Sequence, residues 1–399
     1  MSVKAATSFA DISTSEERFQ LATYKKMPIA AERGEGVWIY TSDGQKYLDL
    51  YGGHAVAATG HCHPLVVAAI RAQSEKLLFY SNLVYSETRG RAAERLVALA
   101  PASLTKAFFC NSGTEANENA MRMARMSTGR ENVITFSGGF HGRTADAISA
   151  TFLGKYREIG KPNVPGHLEA EFGNIGAVRQ LADDSVGAIM LEPIQSMAGV
   201  RMAEPEFYRE LRGLCDERGI VLIYDEVQTG VGRTGEWFFS GSNAGDGVVP
   251  DIITLAKALG SGIPVGACLV SETIASHIGE NDLGTTFGGG MIAMAAITAT
   301  LDAIEDDALL ANVKIVETYL RKRLKELGQV VRVRGLGFLL GIEFADKAAA
   351  THKALLDRHI ITGTSSDPNV LRLLPPLCLL NQEVDLFVET LKEVISERR

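Results

Sequence analysis

Nowhere along the 399 residues does an apolar run reach the length that a membrane-spanning helix needs. The N-terminal stretch MSVKAATSFADISTSEERF also lacks the apolar core of a signal peptide. Cysteine is sparse. The five are odd in number and scattered, which excludes a disulfide framework and makes a reducing cytoplasm the expected compartment. Positive charge is short as well. With 40 Lys and Arg against 48 Asp and Glu, the net charge of −8 argues against a nucleic-acid partner. Internal repeats and low-complexity tracts are absent. So is any G-x-x-x-x-G-K-[ST] loop, which removes a P-loop NTPase reading for the acid-ended run VLIYDE at 221–226. Glycine, in contrast, is abundant: forty residues, suited to tight turns and close backbone approaches in a site built from loops. With 46% apolar and 22% charged residues, the composition is that of a globular chain large enough for two domains.

Short apolar runs alternate with amphipathic stretches. Residues Lys106–Cys110, Asn132–Phe136, Val186–Leu191, Val221–Tyr224, Ile252–Leu255 and Val265–Val270 read as strands, rich in β-branched and aromatic side chains and mostly bounded by Gly, Pro or Asp. Glu115–Met126 and Glu206–Arg218 read as helices between them. This alternation predicts an α/β fold, a mostly parallel sheet covered by helices on both faces. The tail reads differently. A helix from about Ala308 to Leu327, the extended segment VRVRGLGFLLGIEF, a helix near Lys347–His359, the strand VLRLL and a final helix from about Gln382 predict a smaller α+β domain. The expected division is 1–55 packing with the small domain through a hairpin at Asp43-Gly44, 56–309 as the large domain and 310–399 as the small one.

Two motifs mislead. Gly230-Val231-Gly232-Arg233-Thr234-Gly235 fits G-x-G-x-x-G, but it leads into the turn-like EWFFSGSNAGDG and opens no helix, as a dinucleotide site requires. His61-Cys62-His63-Pro64 looks like a metal cluster, yet adjacent residues do not converge on one ion. A turn before a helix starting at Pro64 suits it better, and no metal is expected.

The informative residues are spread along the chain. Phe109–Ala116 reads as a strand end, a small-residue turn and a helix start, where free amides and the helix dipole favour a phosphate. An ordinary cap by Ser112 or Thr114 explains it equally well. Ser137–Thr144 sets Phe140 and Arg143 in a glycine-rich loop, an aromatic for a flat ring and a guanidinium for a carboxylate. The plainer alternative tucks Phe140 into the core. Asp225 ends a strand and is placed to pair with a protonated heterocycle, with Val227 and Gln228 just beyond. Thirty-two residues later Lys257 sits in an otherwise apolar run, where desolvation makes an amine nucleophilic. The competing reading is a lysine snorkelling from a helix end.

In this order the blocks YLDLYGGHAV, GHCHP, FFCNSGTEAN, FHGRT, LEPIQ, DEVQTGVGRTG, PDIITLAKAL, TTFGG and VLRLLPP resemble the class III (subgroup II) pyridoxal-phosphate aminotransferases, and within them the acetylornithine and ornithine enzymes, from about Phe19 to the C-terminus. The resemblance implies fold type I, pyridoxal 5′-phosphate as cofactor and a homodimer with shared sites. It implies Lys257 as the lysine that carries the cofactor and Asp225 as the partner of its ring nitrogen. Ser112, Gly113 and Thr114 would bind the phosphate, and Phe140 and Val227 would cover the two faces of the ring. Gln228 would take the 3′-oxygen, and Glu192 would support the network. Thr286 would reach the neighbouring subunit's phosphate, and Arg143 and Arg372 would bind substrate carboxylates.

The chain departs from this pattern where relatives carry a glutamate after EPIQ that pairs with the arginine matching Arg372: here Met197 stands. TTFGGG is followed by Met291 where relatives often read N-P, and SGSNAGDGVV looks like a loop insertion. The expected reaction is amino transfer from a terminal amine, as in acetylornithine or ornithine, to a 2-oxo acid such as 2-oxoglutarate. β-Alanine, 4-aminobutyrate or alanine with pyruvate or glyoxylate is the alternative, favoured by Met197. An aminomutase or decarboxylase on the same scaffold is a further one.

Overall fold

The computed structural model describes residues 8–397, so the first seven residues of the stretch searched for a signal peptide lie outside it. Its centre is a seven-stranded sheet of β1 (Leu104–Cys110), β2 (Asn132–Phe136), β3 (His167–Ala170), β4 (Val186–Leu191), β5 (Val221–Asp225), β6 (Ile252–Leu255) and β7 (Gly266–Ser271). Six of these are the expected strands, with ends shifted by no more than two residues. The order is β1-β7-β6-β5-β4-β2-β3. Only β7 runs antiparallel to its neighbours; the other pairs are parallel. The central strands are buried along their whole length, as a sheet with helices on both faces demands.

Helices Gly113–Thr128 and Pro205–Arg218 cover the sheet. Ala116, Ala120, Met123 and Ala124 recur at helical spacing and form the buried stripe of the first. Phe207, Tyr208, Leu211, Leu214 and Cys215 do so in the second. Each ends at a glycine in the left-handed conformation, Gly129 (φ 67°) and Gly219 (φ 61°). Helix Met291–Asp306, which periodicity did not single out, lies across the helices Pro64–Lys76 and Glu87–Leu99. Among the described residues no helix is long and apolar enough to cross a membrane.

The tail forms a second, antiparallel sheet of Val330–Leu336, Leu339–Phe344, Val370–Leu373 and Gly363–Thr364, with helices Leu309–Lys325, Ala349–Leu356 and Asn381–Ser396 beside it. The N-terminal hairpin Trp38–Thr41 and Lys46–Asp49 joins this end of the molecule. Lys46–Asp49 pairs in parallel with Ile360–Ile361, Leu48 opposite Ile360. The GVGRTG segment runs through turns. Its Arg233 is fully buried and donates to the carbonyls of Phe338 and Pro375, tying the large sheet's loops to the C-terminal elements.

Leu48 is wholly buried in the core that these N- and C-terminal strands share. Leu48→Ala is expected to cost about 2–5 kcal/mol, as cavity-forming truncations do. The measurement is the denaturant midpoint of the cofactor-free chain. An unchanged midpoint would mean that the N-terminal strands stand outside the cooperative unit.

Candidate active site

The parallel strands end on one edge of the sheet, and the loops that leave them converge there. They enclose a cavity of about 590 Å³ whose wall includes Phe140, Val227, Gln228, Lys257 and Arg372.

Asp225, the last residue of β5, is buried on the cavity floor. Its Oδ2 accepts from Asn117 Nδ2 at 2.8 Å and lies 2.8 Å from His141 Nδ1; its Oδ1 accepts from the Val227 amide at 3.1 Å. Asn117 is itself fixed, accepting at Oδ1 from Thr254 of β6 (2.6 Å) and donating to the His141 carbonyl (2.7 Å). Burial alone would lower the His141 pKa, but the hydrogen bond to Asp225 and the charges of Asp225 and Glu192 raise it. Glu192, just past β4, accepts from the Phe140 amide at 2.8 Å. Burial raises its pKa, and the charge of Asp225 adds to the rise.

Lys257 opens a single 3₁₀ turn directly after β6 and takes a left-handed φ of 43°, an uncommon conformation for a side chain other than glycine. Burial lowers its pKa, with the charge of Arg372 in the same sense and those of Asp225 and Glu192 opposing. It therefore belongs to a strand-to-turn junction, and the helix-end reading does not hold.

At the start of helix Gly113–Thr128 the Ser112 hydroxyl accepts from the Glu115 amide at 3.3 Å, so it serves as the cap. The Thr114 hydroxyl pairs with that of Thr144 at 2.6 Å. The amides of Gly113 and Thr114 then have no acceptor among the described residues, and both residues line the cavity. A Cβ on Gly113 would come within 2.8 Å of Val227 Cγ1, so this corner of the cavity tolerates only glycine with Val227 in place. Phe140 lines the cavity with its ring edge-on to Tyr156. Gln228 keeps its amide oxygen buried without a partner.

Arg372, in the strand Val370–Leu373, is buried and held by neutral groups. Nε donates to the Thr364 carbonyl (2.6 Å), Nη1 to Ser196 Oγ (3.0 Å) and Nη2 to Tyr51 Oη (2.7 Å). A guanidinium has five N–H groups, so one on each Nη remains. Met197 lines the same cavity and offers no carboxylate. Arg143 is exposed at the mouth, its guanidinium 5.3 Å from the ring centres of both Tyr24 and Tyr156. Thr286 lies elsewhere: it is exposed and does not line this cavity.

The residues of the cavity fit a flat anionic ring: Phe140 and Val227 line it together with an anchored carboxylate, an amine, an orphaned amide oxygen and a helix start with open amides. Comparison with known proteins decides the family. Residues 19–395 match the model of the class III aminotransferases, described as "Aminotransferase class-III". The chain belongs to that family. It is a pyridoxal-phosphate-dependent aminotransferase of fold type I. The acetylornithine aminotransferase of Methanopyrus kandleri is 40% identical over 381 residues, covering 95% of this chain and 97% of that enzyme. That of Archaeoglobus fulgidus is 40% identical over 374 residues, covering 94% and 97%. The solved ornithine aminotransferase of Toxoplasma gondii superimposes with a TM-score of 0.92 at 25% identity, covering 98% of this chain and 97% of that one. The acetylornithine aminotransferase of Elizabethkingia anophelis gives 0.85 at 27% identity, covering 98% and 100%.

Four residues of this aminotransferase's site escaped the sequence reading. Asn117 and His141 clamp Asp225, and both sit inside motifs that were noticed, FFCNSGTEAN and FHGRT. A buried strand-end acid needs donors, and that need was the available signal. Tyr51 and Tyr24 come from the N-terminal segment and meet Arg372 and Arg143 across more than a hundred residues of sequence, which no local spacing announces. The turn expected before Pro64 is present. His61 pairs with Asp49 and His63 with Asp307, each at its own carboxylate, and the helix begins at Pro64.

Gly113→Ala should weaken cofactor binding by roughly tenfold, the usual 1–3 kcal/mol of overpacking. Adding Val227→Ala removes the clashing methyls and should recover most of it. Cofactor dissociation constants of the three variants, measured on the apoenzyme, decide the matter. Additive losses would show that the contact with Val227 is not the cause.

Proposed function

We propose that this aminotransferase moves the terminal amine of an ornithine-type donor, N-acetylornithine or ornithine, to a 2-oxo acid such as 2-oxoglutarate. The observation that carries the reading is a pair of guanidiniums, Arg372 and Arg143, with no acidic partner among the described residues, set in one cavity with Lys257. The names of the relatives, acetylornithine aminotransferases at 40% identity along nearly the whole chain, support the donor.

Lys257 would hold pyridoxal phosphate through Nζ and Asp225 its ring nitrogen. Ser112, Gly113 and Thr114 would receive the phosphate, chiefly through the open amides. Phe140 and Val227 would cover its faces, with Gln228 at the 3′-oxygen and Glu192 behind. Bound there, the cofactor supplies an electron sink for the carbanion left when the donor's amine-bearing carbon loses its proton. Once the donor's amine has displaced it from the cofactor, Lys257 Nζ, whose pKa burial lowers, would be the free amine that takes that proton and returns it. Asp225, fixed by three donors, keeps its carboxylate aimed without reorganising. Arg372 receives a substrate carboxylate on its two remaining N–H groups, a bidentate arrangement. Arg143 receives another at the mouth.

The working unit in this proposal is a homodimer. Phe79 and Phe287, ring centres 5.2 Å apart, are both exposed, as are Leu83 (90%) and Tyr85 a few residues along the chain, apolar area that a second copy would cover. Thr286, exposed beside Phe287, would reach the neighbour's phosphate in such a dimer. We also retain 1–55 with 310–399 as the small-domain side, 56–309 as the cofactor side, and the cytoplasm as the compartment, given five free cysteines.

A second reading has one observation in its favour. With Met197 in place of an acid, Arg372 stays an open carboxylate receptor in both halves of the reaction, which suits α-amino donors such as alanine.

The test is a panel of donors and acceptors followed by the spectrum of the aminated cofactor. Acetylornithine or ornithine with 2-oxoglutarate is expected to turn over fastest. A preference for alanine with pyruvate would replace the first reading by the second. Lys257→Ala should bind the cofactor without the absorbance of the lysine-bound form and leave turnover negligible. A yellow, active Lys257→Ala protein would falsify the role given to Lys257.

A further inference from the structure

The ring of His54 lines the cavity. His54 follows two glycines in a segment that turns the wrong way. Gly52, Gly53, His54 and Ala55 have φ of 54°, 57°, 66° and 66°, a complete left-handed turn closed by Ala55 N to Tyr51 O (3.0 Å) and Val56 N to Gly52 O (2.8 Å). Left-handed backbone is easy for glycine and costly for residues with a Cβ, and strain of this kind gathers at functional sites. The turn is built in. Asp49 Oδ1 accepts from the amides of Tyr51 (2.9 Å) and Gly52 (2.8 Å), and a Cβ on Gly52 would meet the Leu374 carbonyl at 2.8 Å.

The turn presents two rings. Tyr51 Oη accepts from Arg372, and His54 packs edge-on against the Tyr51 ring, centres 4.8 Å apart. The imidazole lines the cavity and makes no hydrogen bond to any described residue. Its neighbours are cations: burial and the charges of Arg372, Lys257 and Arg143 hold its pKa below the ordinary histidine range, against Asp49 alone. The acids of the site, Asp225 and Glu192, are engaged with His141, Asn117 and backbone amides, and Asp49 with His61 and the amides of the turn. Two guanidiniums and the His54 imidazole thus line one cavity with no acidic partner of their own among the described residues, and a ligand can bring the negative charge.

We propose that His54 is a specificity-determining residue that hydrogen-bonds the second carboxylate of a 2-oxo diacid and so favours diacid over monoacid amino acceptors. This rests on the aminotransferase reading above. The imidazole N–H donates to a carboxylate oxygen that Arg372 or Arg143 attracts but does not saturate. A monoacid leaves that N–H unused.

His54→Gly is the informative variant, because glycine takes the left-handed φ at no cost and removes only the ring. His54→Asn keeps a hydrogen-bonding group in a residue that tolerates the same backbone. On the holoenzyme, with one donor fixed, the ratio of kcat/KM for 2-oxoglutarate over pyruvate should fall about fivefold to tenfold in His54→Gly, the range of one neutral-donor hydrogen bond, and recover in part in His54→Asn. The melting temperature of His54→Gly should equal or exceed that of the parent. Calorimetry with glutarate and butyrate, which carry no reacting carbonyl, reads the same preference without turnover. It therefore decides the role of His54 even if neither acceptor proves to be a substrate. An unchanged ratio and an unchanged glutarate preference overturn the proposal. So does an equal loss for both ligands with a lowered melting temperature, which would make the ring a packing element against Tyr51.

Discussion

A carboxylate taken out of water at the end of a strand has to be held by donors, and the way Asp225 is held organises the rest of this molecule. The cost of burying an unpaired carboxylate is several kcal/mol. Here it is offset by donors from the helix after β1 (Asn117), the loop after β2 (His141) and the turn that follows Asp225 itself (Val227). Asn117 adds a hydrogen bond from Thr254, so β6, which leads into Lys257, is tied to the same network. The position of the lysine, the orientation of the Phe140–Arg143 loop and the start of the Gly113 helix are therefore set together. A sheet with parallel strands makes this possible, because only then do the ends of β1, β2, β4, β5 and β6 meet on one edge.

The charges divide the cavity. Acids lie at the strand ends, where Asp225 and Glu192 are satisfied by amides and imidazole. The guanidiniums without an acidic partner among the described residues, Arg372 and Arg143, come from the C-terminal antiparallel sheet and from the mouth. In the proposed reaction an amine would approach Lys257 with its carboxylates directed away from the floor. Arg372 is held by a carbonyl, a hydroxyl and a phenol, so its geometry is fixed while its charge stays available.

Much of this was legible in the sequence because the chemistry is carried by strand ends and turns. β4, β5 and β6 are short, almost wholly apolar and bounded by turn residues, and a candidate site residue ends each or follows within two positions: Glu192 after β4, Asp225 at the end of β5, Lys257 two past β6. β3 was not legible: His-Leu-Glu-Ala has neither alternation nor β-branched residues, and it forms as an edge strand because β2 offers a free side. Phe109–Ala116 was ambiguous between a cap and an anion turn, and the structure shows why. Ser112 spends its hydroxyl on the cap, and this leaves the neighbouring amides open. The contacts of Arg372 were illegible, since Tyr51 and Ser196 reach it only through tertiary packing, 321 and 176 residues away.

In the proposed function Asp225, held in this clamp, governs the chemistry through its charge as well as fixing the loops of the site. Asp225→Asn keeps the shape and most donors while removing the charge. Removing one member of a buried charged pair commonly costs about 3–5 kcal/mol, so kcat for the best donor should fall by roughly two to four orders of magnitude. The variant is compared as a folded, cofactor-loaded protein, so that a loss of turnover reports on the charge and not on unfolding. Near-normal turnover in a folded, cofactor-loaded Asp225→Asn protein would contradict the account.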